Sequence, residues 1–163
     1  MNRLETRLYK ILQELEKTGR LEMEKNYRQH GTTTVYQHSV NVADKSCRFA
    51  QRLNMKLDYD SLIRGALLHD YFLYDWHDKN HGHSPHGFTH PGTALKNAEE
   101  DFSLNDIEKN IINRHMFPLT IIPPNTREAW IVCLIDKLCA FQETTQPFLT
   151  KKKNGMDQYK ERR

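Results

Sequence analysis

Apolar residues recur along this chain in steps of three and four, the spacing that gathers side chains on one face of an α-helix. Leu4, Leu8, Ile11, Leu12 and Leu15 repeat in this way and Gly19 follows as a stop, which predicts an amphipathic helix over 3–17. The stretch from there to about Thr34 is polar and without a clear period. From Tyr36 onward, Val40, Ala43, Cys47 and Ala50 mark a second helix whose first turn carries His38. Asp58 and Asp60 are both suitable caps for a third, which runs through Leu62, Ile63, Ala66, Leu67 and Leu68 into His69 and Asp70.

Residues 74–89 mix Asp, His, Lys, Asn, Gly and Pro without apolar periodicity and read as a long surface loop. Helical spacing returns after Pro91, through Ala94, Leu95 and Ala98. Ser103 with Asp106 resembles a capping pair ahead of Ile107, Ile111 and Ile112, which lead to His115. Pro118, Pro123 and Pro124 then force a non-helical connection, after which Thr126 can cap a helix through Ala129, Val132, Cys133, Asp136 and Ala140. No strand alternation of useful length and no internal repeat is visible. The expectation is an all-α helical bundle forming one domain over 1–163, with its core at roughly 36–142 and a basic tail at 150–163.

Composition narrows the function classes. Hydrophobic residues make up 37% of the chain, and no apolar run approaches the roughly 18 residues that a membrane span requires. Arg3, Glu5 and Arg7 fall among the first seven positions where a secretory signal would be apolar, so a cytoplasmic protein is expected. Cys47, Cys133 and Cys139 lack Cys-x-x-Cys spacing and lie in apolar-periodic segments, which predicts reduced, buried thiols. The net charge of +3 owes much to Lys151, Lys152, Lys153 and the final residues, a tail with no nucleic-acid-binding motif, so nucleic acid is not an expected partner. Nothing in the pattern specifies an oligomeric state. Nine histidines are the compositional oddity, five of them between His77 and His90.

Two His-Asp pairs occur, and their contexts differ. His77-Asp78 lies in the polar loop, whereas His69-Asp70 ends the apolar run Gly65-Ala66-Leu67-Leu68. A charged Asp at the end of a buried run is costly unless it is paired or bound to a metal. At a helix end the backbone can turn both side chains toward a single ion. Asp136 raises the same question, because it sits amid Ile131, Val132, Leu134, Ile135 and Leu138.

His38, His69-Asp70 and Asp136, with thirty-one residues from the first His to the pair, resemble the HD superfamily pattern of His, His-Asp and a distant Asp over roughly 36–142. His90 and His115 stand where the dinuclear branch of that superfamily adds two histidines. The resemblance implies an HD-domain helical bundle in which His38, His69, Asp70 and Asp136 bind one metal, while His90 and His115 bind a second and Asp70 bridges. Four imidazoles with two carboxylates suit divalent transition metals, Fe or Mn and also Zn, Co or Ni, far better than Mg or Ca. The implied activity is a metal-dependent phosphohydrolase, a phosphatase or phosphodiesterase, in which a metal-bound hydroxide attacks a small phosphorylated or nucleotide-like substrate at His69 and Asp70. The same ligand order serves the di-iron oxygenases of the superfamily, and a non-catalytic metal-dependent regulatory module is a further alternative. Leu73 stands where many HD-GYP phosphodiesterases carry Lys and the Gly-Tyr-Pro motif is missing, which disfavours that branch. Arg114 and His86 are the expected substrate-facing residues, with Lys79 and Lys137 as further cations near the ligands in sequence. The aromatic run from Tyr71 to Trp76 is expected to pack mainly in the core.

Overall fold

Thr34 sets the frame. Its hydroxyl accepts from the Gln37 backbone N–H and the Gln37 side chain returns the bond to Thr34, a reciprocal cap that starts helix α2, Val35–Arg52. The computed structural model describes residues 3–77 and 86–160, with side-chain surroundings for all of these except 86 and 146–160. Lys79, His81, His83 and the side chains of the basic tail lie outside the described residues.

Helix α1 spans Arg3–Thr18 and buries Ile11 and Leu15. It ends just before Gly19, where a Cβ would sit 2.2 Å from the Phe102 ring, so the position suits glycine. The aperiodic stretch that follows forms a 3₁₀ turn, Leu21–Asn26, and then a small antiparallel hairpin of β1, Arg28–His30, and β2, Thr33–Thr34. These strands are too short to alternate visibly, so the sequence did not announce them. Gly31 turns the hairpin with a positive φ of 59°.

Helix α3, Tyr59–Leu68, starts from Asp58, which accepts from the Asp60 and Ser61 backbones, while Asp60 pairs with Arg7 instead. Helix α4 spans His86–Asp101 and so begins five residues earlier than the proline implied. Pro91 is its sixth residue, so its missing N–H leaves the Gly87 carbonyl without its usual helical partner. Helix α5, Asp106–Arg114, is capped by Asn105 with Glu108, not by Ser103 with Asp106; the Ser103 carbonyl accepts from Arg64. Helix α6 begins after Thr126, whose hydroxyl accepts from Ala129, and continues past Ala140 to Lys160.

The described chain is thus an all-α bundle apart from the one hairpin. Helix α3 is central, packing on α1, α2, α5 and α6. A Cβ on Gly65 would meet Ile111 at 2.5 Å, so glycine lets α3 and α5 approach closely. Tyr71, Phe72 and all three cysteines are buried. In α6, Ile131, Val132, Ile135 and Cys139 face the core, but Leu134 and Leu138 point outward, contrary to the apolar surroundings expected on both sides of Asp136. Among the described residues no helix is long and apolar enough to cross a membrane.

Candidate metal centre

Two histidines stand at matching places. His69 closes α3 and His115 closes α5, each as the C-terminal cap in helical conformation. Each Nδ1 bonds the carbonyl three residues back, His69 to Ala66 and His115 to Ile112, both at 2.8 Å. Donation by Nδ1–H leaves Nε2 as a lone pair aimed away from the helix, the orientation that metal-ligating imidazoles adopt. His38, held in the first turn of α2 by the Thr34 cap, is braced by Glu143 Oε2 at 2.8 Å from its Nδ1.

These rings and two carboxylates converge. His38 Nε2 lies 3.0 Å from Asp136 Oδ1 and 3.9 Å from Asp70 Oδ2, while His69 Nε2 lies 3.6 Å and 3.3 Å from the same two atoms. On the other side of the aspartate, Oδ1 lies 3.1 Å from His90 Nε2 and 3.4 Å from His115 Nε2. The last two nitrogens are themselves 2.8 Å apart. All six residues are buried.

The electrostatics follow from this crowding. Burial alone would push His38 down, but Asp136 and Glu143 outweigh it and raise its pKa to about 9. His69 is likewise raised, with Asp70 and Asp136 overcoming desolvation. His115 is lowered, because burial outweighs its bond to Asp70. Burial would raise both aspartates, yet His69, His115 and His90 hold Asp70 well below the carboxylate range, and His38 and His69 do the same for Asp136.

The donor set fits a divalent transition ion. His38, His69 and Asp70, then His69, His115 and Asp136, then Asp70, His90 and His115 form triads whose ligand atoms lie within 4.8 Å of one another. His69 Nε2 and Asp70 Oδ1 are buried without a hydrogen-bond partner, a costly state that a bound ion relieves. Mixed imidazole and carboxylate donors are the chemistry such ions prefer.

The centre floors a cleft of about 660 Å³ walled by Gln29 and His30 from the hairpin, Trp76, Met116, Pro118 and Leu119, with Lys137 from α6. Arg114 is not among its lining residues. It lines a surface groove with Leu95, Asp106 and Ile107, because one residue of helical rotation separates it from His115. Lys137 Nζ is held by the carbonyls of His115 and Cys133 at 2.8 and 3.1 Å. His86 opens α4, and its side chain lies outside the described residues. The aromatic run is divided: Tyr71 and Phe72 are core, whereas Trp76 lines the cleft.

Three contributors escaped sequence reasoning. Gln29 donates its amide to Asp70 Oδ2, and nothing in the polar stretch around it marked it out. Glu143 had a signal, since it follows Asp136 by seven residues and so shares its helix face. Glu24 is fully buried with neither carboxylate oxygen partnered, and desolvation together with Asp70 raises it well above the usual carboxylate range. No curated protein and no solved structure matches the chain. Residues 35–140 match the HD domain, and this span, which holds all six converging side chains and nearly two thirds of the sequence, establishes that the chain belongs to the HD domain family.

Proposed function

We propose that this protein is a metal-dependent phosphohydrolase acting on a small phosphate ester of nucleotide-like size. The observation that carries the reading is the division of Asp70, whose Oδ2 faces His38 and His69 while Oδ1 faces His90 and His115. That division suits two divalent ions sharing one carboxylate, with Fe or Mn foremost and Zn, Co or Ni compatible by donor type. Bound there, the ions would supply positive charge for phosphate oxygens and the acidity that makes water a nucleophile. The chain's own residues orient the reaction. The Nδ1 bonds fix the rings of His69 and His115, and Gln29 and Glu143 steady Asp70 and His38. Trp76, Met116, Pro118 and Leu119 form an apolar wall that excludes water and accommodates a base or sugar, and His30 borders the same cleft as a polar contact. No thiol competes as nucleophile, since burial raises the pKa of Cys47, Cys133 and Cys139 alike.

Apoprotein reconstituted with Mn under anaerobic conditions and assayed against phosphomonoesters and phosphodiesters tests this. Phosphate release or diester cleavage without oxygen, abolished by His69→Ala, is the expected result. Turnover that requires both iron and dioxygen overturns it in favour of an oxygenase.

A further inference from the structure

Helix α6 has two apolar faces, and the bundle uses only one. Outward, Trp130, Leu134, Leu138 and Phe141 form a stripe in steps of four, four and three, about half exposed and, for Phe141, 69% exposed. No exposed position of this helix between Arg127 and Thr145 is charged. Lys137 borders the stripe, but its amine is turned back onto the His115 and Cys133 carbonyls. A groove of about 480 Å³ opens at the Trp130 end, its largely apolar lining including Phe49, Met55, Phe117 and Trp130 together with Arg127 and Lys137. Phe141 projects at the other end, eleven residues or about 16 Å along the helix. Because α6 runs on as one helix to Lys160, its own continuation does not fold back over the stripe.

A surface that carries a groove and a matching knob at opposite ends is self-complementary under a two-fold axis. Two α6 helices laid antiparallel and crossing near residues 135 and 136 bring Leu134 against Leu138 and Phe141 against the groove of the other copy. Aromatic side chains bury roughly 150–250 Å² each when fully covered, of which 47% is open at Trp130 and 69% at Phe141. With Phe49 and Met55 in the groove, the apolar surface reaches several hundred Å², the scale needed for the apolar part of a standard interface of about 800 Å² per partner. We propose that this face joins two copies of the chain through antiparallel α6 packing, with Phe141 of each seated beside Trp130 of the other. This inference is independent of the catalytic reading.

Sedimentation velocity of the full chain at tens of micromolar should give twice the 19.3 kDa chain mass. Phe141→Asp and Leu134→Asp should each sediment as monomers, with helicity and bound metal unchanged. A Leu134→Cys/Leu138→Cys chain should form a disulfide-linked dimer on oxidation, which decides the matter if the aspartate variants lose helicity. A monomeric wild-type chain, a dimer that survives Phe141→Asp with full helicity, or a double-cysteine chain that stays monomeric on the gel would overturn the proposal.

Discussion

The two sides of Asp70 are built differently. On the Oδ2 side, His38 and His69 share Asp136, and Glu143 stands behind His38, so two imidazoles face two carboxylates with a third in support. On the Oδ1 side, His90 and His115 contact Asp70, and Asp136 comes only within 4.8 Å of His115. A cation is therefore better compensated on the first side than on the second, and the centre should fill in that order.

The hardest way to break this asymmetry is to remove what both sides share. Asp70→Ala should lose all bound metal, read by elemental analysis of anaerobically purified protein, whereas His115→Ala should fall from about two ions per chain to about one. Full metal content in Asp70→Ala would sink the bridging role. A smaller effect isolates the first side: Glu143→Gln removes the charge behind His38 and should weaken the tighter ion by about 10–100-fold, leaving the weaker one unchanged in a competition titration. Equal weakening of both ions would erase the distinction. The mildest test is pH. His38 has a pKa of about 9 because Asp136 and Glu143 outweigh its burial, so below that value an ion must displace its proton. Affinity at the first side should climb by about tenfold per pH unit for each proton displaced, with the His38 contribution ending near pH 9 and His69, which is also raised, adding its own, while His115, whose pKa is lowered, imposes no such proton competition near neutrality. Affinity that falls as pH rises from 7 to about 9 would contradict the assignment.

How far the sequence could see follows the same physics. His69, Asp70, His115 and Asp136 are visible because each ends or interrupts an apolar-periodic segment where an ionisable group needs an explanation, whereas His38 and His90 stand at helix starts and are legible only through the resemblance to the HD pattern. Gln29 and His30 were not, because a hairpin of three and two residues leaves no period to read and its position depends on tertiary packing. Helix α4 was placed late because its first turn buries no apolar stripe; His90 is buried there by the centre instead. Leu134 and Leu138 flank Asp136 in sequence yet lie outward, since periodicity reports that a face is apolar and not what covers it.

The bonds from His69 and His115 to the carbonyls of Ala66 and Ile112 bear on how relatives of this chain should be compared. Each ring satisfies a carbonyl that its own helix end would otherwise leave open, so it closes α3 or α5 whether or not an ion is present. Selection for the fold alone would retain a side-chain donor at both positions. Across an alignment, persistence of His69 and His115 is therefore weak testimony for metal binding, and a lineage that abandoned the chemistry should betray itself first at Asp136, which lies inside α6 and closes no helix end.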